Sequence, residues 1–237
     1  MKSIGTIKES SLHRDLKFRY VKDGETEISL GNYVYDGQTE DGELIEVQTG
    51  SFGPLKDKIS CLSKKNKIRV IYPIIVQRFI ELYDTEGKLL RKRKSPKKGC
   101  AWDIFKALVY APELPLFPGI KLELIFLDIV EKRKDDGKGS WRRKGATIID
   151  RVPLVWYESI ILKRLSDYHR FIPIKEETFT TKDLEAQAGI PRALAQKCLY
   201  VLNKMGVTER VGKQGNAYVY QKKGGKVNPY RPKSTTN

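Results

Sequence analysis

The segment Ile68–Ile75 (Ile-Arg-Val-Ile-Tyr-Pro-Ile-Ile) constrains the fold most. An apolar, β-branched run of that length reads as a buried strand. The elements before it follow from periodicity and turn signals. Residues 7–20 read as a helix, because Leu12 and Leu16 are four apart and Ser10 or Ser11 can shape its start. Three short strands follow, Glu27–Leu30, Tyr33–Asp36 and Glu43–Gln48, with Gly31-Asn32 and Asp41-Gly42 as turns. Pro54 suits the first position of a second helix, which runs to about Lys64 with Leu55, Ile59 and Leu62 at helical spacing. The order up to Ile75 is therefore α, β, β, β, α, β.

Beyond it, Val76–Lys98 reads as a hairpin turning at Asp84-Thr85-Glu86-Gly87. Residues 101–111 read as a helix with Trp102, Phe105, Leu108 and Val109 on one side, and Pro112, Pro115 and Pro118 force a loop. Ile120–Val130 is a long strand, turned by Asp135-Asp136-Gly137 into a returning strand over 145–152. Residues 154–168 read as a connecting helix. Residues 224–237, rich in Gly, Pro, Lys and Thr, read as a mobile basic tail.

Residues 178–222 give the clearest unit. Thr180-Thr181-Lys182-Asp183 is an N-cap with an acid in the first turn, and Gly189 ends that short helix. Ile190-Pro191 opens the next helix and Gly206 closes it. Leu194, Cys198, Val201, Leu202 and Met205 share one face; Arg192, Gln196, Tyr200 and Asn203 fall opposite. Val207–Val211 and Ala217–Gln221 read as two strands of a hairpin. Helix, turn, helix and hairpin make a winged helix-turn-helix. Arg192, Gln196 and Tyr200 are then candidate base readers and Lys213 a phosphate contact in the wing. A winged helix used for protein packing stays open.

The formal net charge of +16 points to a polyanionic partner. Its distribution is uneven: −3 over residues 1–63, +12 over 64–174 and +7 over 175–237. The basic stretches are Lys64-Lys65-Asn66-Lys67, Arg91–Lys98, Lys132-Arg133-Lys134 and Arg142-Arg143-Lys144. Arg93, Lys94, Lys97, Lys98, Arg142 and Arg143 are candidate phosphate contacts. No window approaches the roughly 18 apolar residues of a membrane span. Met1–Thr6 lacks the apolar run of a secretory signal. Cys61, Cys100 and Cys198 show no CxxC spacing, so a cytoplasmic setting is expected, with no disulfide framework or cysteine zinc site.

Carboxylates inside a basic protein are candidates for holding a cation. Along Glu43–Gln48 side chains alternate, so Glu46 and Gln48 share a face while Ile45 and Val47 pack the other. Asp36 ends the preceding strand, where a hairpin can bring it beside Glu46. Mg²⁺ suits such a pair, since it takes one or two carboxylates and keeps waters and phosphate oxygens as its other ligands. Glu9, His13 and Lys17, spaced four apart, form one helical stripe that offers a third carboxylate and two phosphate contacts. Asp36-Gly37 also reads as a turn dipeptide, so a structural role stays open.

With these residues in place, the chain resembles the PD-(D/E)XK nuclease superfamily, of the restriction endonuclease and Holliday junction resolvase type. The likeness covers about residues 5–76, through the αβββαβ order and Glu9, Asp36, Glu46 and Gln48. Ser11-Leu12-His13, Ile45-Glu46-Val47-Gln48-Thr49-Gly50-Ser51-Phe52 and Arg93-Lys94-Ser95-Pro96-Lys97-Lys98-Gly99 further resemble an uncharacterised bacterial group of such proteins with a C-terminal winged helix. The resemblance implies an α/β, restriction endonuclease-like core with added hairpins. It implies catalytic roles for Glu9, Asp36, Glu46 and Gln48, and Mg²⁺, with Mn²⁺ as a substitute, on Asp36, Glu46 and the Val47 carbonyl. The motif usually ends in lysine, and Gln48 carries neither proton nor charge at neutral pH. Either Lys56 or Lys58 supplies the missing charge, or the site is weakened.

The expected organisation is a nuclease-like domain over 1–152, a connecting helix and winged helix over 153–223, and a tail over 224–237. The expected function is a Mg²⁺-dependent deoxyribonuclease acting on DNA. The alternatives are a DNA-binding regulator or adaptor on a decayed nuclease fold, and an RNA-processing nuclease. Cutting two strands with one site often requires a second subunit, which leaves a homodimer open.

Overall fold

The computed structural model describes residues 10–21 and 24–224. Its first elements are α1 (Ser11–Tyr20), β1 (Glu25–Leu30), β2 (Tyr33–Gln38), β3 (Leu44–Val47), α2 (Leu55–Leu62) and β4 (Ile68–Tyr83). The expected αβββαβ order is present. β1, β2 and β3 are antiparallel, and α2 carries the chain over to β4, which runs parallel to β3 with Glu46 opposite Val70. β4 also runs parallel to β6 (Ile120–Lys134), and β7 (Thr147–Leu162) closes that side antiparallel. The result is a mixed α/β architecture around one seven-stranded sheet.

Strand alternation assigns the two faces. Leu44, Val70, Leu122 and Leu124 pack with Phe52, Leu55 and Ile59 on the α2 side. Ile45, Val47, Ile71, Ile125 and Leu127 pack under Leu12 and Leu16 of α1. α1 is tied down at its start: Ser11 N–H and Oγ donate to the Asp150 carboxylate of β7 at 2.9 and 2.6 Å. Ser10 caps the helix by accepting from His13 N–H at 3.3 Å.

β4 is sixteen residues long, so the strand expected at Ile68–Ile75 and the first arm of the expected hairpin are one element. Its outer edge is shared. β3 pairs with Ile68–Ile71, and β5 (Leu89–Lys94) pairs with Phe79–Tyr83. Between them lies a notch, bridged by Ser95 N–H to Arg78 O (2.8 Å) and Gly99 N–H to Ile75 O (2.9 Å). A Cβ on Gly99 would stand 2.3 Å from Ile75 O, so this close approach needs glycine.

The connecting helix expected over 154–168 is absent. β7 continues to Leu162, through the boundary expected at 152/153, and a 3-10 helix follows over Leu165–Phe171. The segment is rich in β-branched and aromatic residues, which suit a strand. Register shifts at Ile125/Leu127, Asp128/Ile129 and Lys132/Arg133 break the two-residue alternation that would have revealed it. Pro153 is tolerated because β7 is an edge strand. The helix expected over 101–111 is a 3-10 turn (Ala101–Ile104) followed by one α turn, α3 (Phe105–Leu108).

The C-terminal unit comprises β8 (Thr178–Thr180), α4 (Thr181–Ala188), α5 (Arg192–Met205), β9 (Thr208–Gln214) and β10 (Ala217–Lys222), with sheet order β8-β10-β9. Leu194, Cys198 and Leu202 of α5 belong to the same core as Phe105 and Phe171. Thr180 and Asp183 form a capping box: Thr180 Oγ1 accepts from Lys182 N–H (3.2 Å), and Asp183 accepts from Thr180 N–H (2.7 Å). Thr180→Ala is therefore expected to cost about 1 kcal/mol, read as a lower denaturant midpoint at unchanged slope. Among the described residues no helix is long and apolar enough to cross a membrane.

Candidate active site

β2 and β3 pair only through Gly37–Ile45 and Gln38–Leu44, and then separate. The gap that opens toward the end of β3 gathers the candidate site. Asp36 fills it from the α1 side. Its Oδ2 accepts from Val47 N–H at 2.7 Å, a bond a neighbouring strand would otherwise supply. Its Oδ1 lies 2.9 Å from His13 Nε2 and 4.0 Å from Lys17 Nζ. The α1 stripe thus meets Asp36 itself: His13 and Lys17, expected as phosphate contacts, engage its carboxylate. Gly37 permits this approach, since a Cβ there would stand 2.6 Å from the Val21 side chain at the end of α1.

Glu46 enters from the α2 side and is buried. Lys58 of α2 donates to Glu46 Oε2 and to Val34 O (2.6 Å), with its ammonium 4.1 Å from the Tyr35 ring centroid. Lys58 lies about one helical turn after Pro54, on the inward side set by the buried Leu55 and Ile59. Lys56 points elsewhere and lies 3.6 Å from Glu113. Of the two lysines offered for the missing charge, Lys58 is the one at Glu46.

The two carboxylates titrate in opposite directions. Burial pushes Glu46 up to about 7; Lys58 opposes this, and the Asp36 charge adds to it. For Asp36, burial acts upward, but the bonds from His13 and Val47 and the charges of His13 and Lys17 outweigh it and hold the group below its usual value. Opposed environments of this kind are common at functional sites. Gln48 donates its side-chain amide to Ser51 O, so it braces the Thr49–Pro54 loop.

The donor set fits a small hard cation. Asp36 and Glu46 supply carboxylate oxygens from two sides of one gap. In an extended strand a residue's N–H and C=O leave on the same edge, so Val47 O faces the gap that its N–H already addresses. Among the described residues no group of three or more His, Cys, Asp and Glu is arranged to hold a metal. Glu9 lies outside the described residues.

The remaining candidates separate into three places. Lys97 and Lys98 are exposed on the segment bridging the notch, beside the end of β3. Lys94 turns to the other side of β5, 6.0 Å from the Phe79 ring centroid. Arg93, Arg142 and Arg143 line a groove on the α1 side of the distal sheet, together with Arg78, Arg133 and Arg151. Sequence reading missed Arg78 and Arg151, although a lone base inside an apolar strand is a signal in itself. On α5, Arg192, Gln196 and Tyr200 are exposed along one stripe, with Arg192 3.4 Å from Glu185. Lys213 is exposed on β9 with Nζ 5.2 Å from the Tyr218 ring centroid, and Arg210, also missed, sits 4.0 Å from the same ring.

Residues 10–163 match the family described as Domain of unknown function (DUF8091), a span that ends with β7. An uncharacterized protein of Treponema pallidum (strain Nichols) is 28% identical over 222 residues, covering 93% of this chain and 88% of that protein. That likeness extends past the family span into the C-terminal unit. No solved structure matches the chain. With its whole main sheet and candidate site inside the matched span, the chain belongs to the DUF8091 family.

Proposed function

We propose that the chain is a metal-dependent DNA endonuclease, built on a PD-(D/E)XK-like core with a C-terminal winged helix. The observation that carries this reading is the convergence of Asp36 and Glu46 on one interstrand gap, with Lys58 held against Glu46. The antiparallel β1-β2-β3 meander and the parallel β3–β4 pair support the core assignment. Asp36, Glu46 and the Val47 carbonyl would hold Mg²⁺ or Mn²⁺. Bound there, the cation supplies Lewis acidity to the scissile phosphate.

The chain's own residues do the rest. His13 and Lys17 fix the Asp36 carboxylate. Lys58 places positive charge where Gln48 has none. Lys97 and Lys98 flank the notch and hold the backbone of the bound strand. Arg192, Gln196 and Tyr200 face a major groove, and Lys213 contacts phosphate from the wing.

The test is cleavage of plasmid, linear, single-stranded and branched DNA with Mg²⁺ or Mn²⁺. The expected result is nicking or cutting that EDTA abolishes. Absence of cleavage on every substrate with both metals overturns the reading. A second reading, a non-catalytic DNA-binding protein, is favoured by one observation: the Gln48 amide is committed to Ser51 O. It predicts salt-sensitive, metal-independent binding without any cleavage.

A further inference from the structure

Glu131 has no exposed surface, yet three guanidinium groups converge on it. Arg133 donates to Oε1 at 2.8 and 2.6 Å; Arg151 Nε and Arg78 Nη1 lie 3.2 and 3.4 Å from Oε2. One carboxylate cannot neutralise three cations. Its geometry is that of an orienting group, fixing the arginines while leaving a positive surplus. Arg78 Nε is buried without any hydrogen-bond partner. A buried unpaired donor on a charged group is costly, which makes an anionic ligand a natural complement.

These arginines floor a cavity of about 380 Å³, whose rim carries Arg93, Arg142 and Arg143. A second cavity of about 260 Å³ shares those three rim residues and Arg133, so the two adjoin along a shared wall of arginines. Trp141, 82% exposed, stands beside Arg142, whose guanidinium is 5.6 Å from the indole centroid. Guanidinium forks match phosphate oxygens in pairs, and an exposed indole beside an arginine offers a stacking platform. Two adjoining arginine-lined cavities, with an exposed indole next to the rim residue Arg142, fit a run of phosphates better than one small anion.

The strand register gives its distance from the candidate site. Glu46 lies opposite Val70, and Glu131 opposite Ile80, ten residues further along β4. A bulge between Ile75 and Gln77 takes up one residue of β4, so at strand rise that offset is about 30 Å, against the ~34 Å of one duplex turn. We propose that this groove is a metal-independent DNA backbone channel, anchoring the substrate about one duplex turn from the carboxylate gap, with Trp141 stacking on an unpaired base. The substrate class rests on the nuclease reading; the phosphate chemistry of the groove does not.

The test is binding in EDTA, by anisotropy of labelled single-stranded and duplex DNA. Arg93→Ala combined with Arg142→Ala removes two exposed bases and leaves the Glu131 cluster intact. It is expected to weaken binding at least about tenfold and to lower the salt slope by about two. Lys88→Ala combined with Lys106→Ala is the charge-matched control outside the groove, and it is expected to change far less. Trp141→Ala is expected to weaken single-stranded binding about tenfold and duplex binding less. Equal affinity and slope for the two double variants overturns the channel. Inorganic phosphate competing as well as a matched oligonucleotide overturns it in favour of a small-anion site. Groove-dependent binding in a protein that cuts nothing upholds the channel and removes the nuclease reading; cleavage with groove-independent binding does the reverse.

Discussion

Replacing Glu46 by Gln is expected to lower single-turnover cleavage about a thousandfold, with DNA affinity in EDTA held within about twofold. The substitution keeps the shape of the side chain and removes its charge. A neutral amide is a poor ligand for Mg²⁺, and Asp36 alone cannot hold the cation in a fixed place. The residues proposed to contact DNA lie elsewhere, so binding without metal has no reason to change. Lys58 provides the internal check. In E46Q it keeps Val34 O and the Tyr35 ring, so the fold is expected to survive. Lys58→Met in the wild-type background is expected to slow cleavage by about a hundredfold while leaving metal-free binding intact. Rates measured across metal concentration separate the two: E46Q weakens the metal requirement's midpoint, whereas Lys58→Met lowers the plateau. Wild-type cleavage by E46Q would remove Glu46 from the mechanism.

Glu131→Gln is expected to cost about 3 kcal/mol at neutral pH, because it strips the charge that three arginines share in a buried place. For a chain of this size that is about 10 °C in melting temperature. The pH dependence has a definite sign. Burial acts to raise the Glu131 pKa, but the bonds from Arg133 and Arg151 and the charge of Arg78 outweigh it and hold it below the ordinary value of 4.5. A depressed carboxylate stabilises the folded state above the unfolded value and loses that contribution as pH falls through the folded one. The gap between wild type and Glu131→Gln is therefore expected to be full above about pH 5 and to shrink in acid. Melting curves from pH 7 down to pH 3 measure it. A gap constant over that range would mean that the carboxylate charge does not organise the cluster.

The first half of the fold was legible because its signals are local. Turn dipeptides, a proline at a helix start and one apolar run were enough for the αβββαβ order. The same holds for α4 and α5, whose ends are marked by Thr180, Gly189 and Gly206. What local reading missed is the length of β4, β6 and β7. Those strands continue past the core because they pair with one another, and their bulges shift the side-chain alternation that would reveal them in sequence. The site was legible to a similar extent. Alternation and helical spacing give the juxtaposition of Asp36 and Glu46 and the common stripe of His13 and Lys17, but not the contact of that stripe with Asp36. Choosing Lys58 over Lys56 needed the direction of α2, and the role of Gln48 needed the path of the next loop. The Glu131 cluster was hidden because Arg78 comes from β4, some fifty residues before Glu131, and because bulges shift the register that brings Arg151 of β7 to the same face.

The Ser11–Asp150 tether has a consequence for timing. Its partners are 139 residues apart, and α1 also rests on β7 through Arg19, 5.0 Å from the Trp156 ring centroid. On a ribosome, Asp36, Glu46 and Lys58 emerge together, but the helix that carries His13 and Lys17 gains its full seat only after Trp156 has left the exit tunnel. Closing so long a loop is slow compared with local pairing. Nascent chains therefore hold the carboxylates before they hold the residues that fix Asp36, and the centre matures late in synthesis. A chain truncated before Asp150 keeps every carboxylate described at the gap and loses the anchor that orders them.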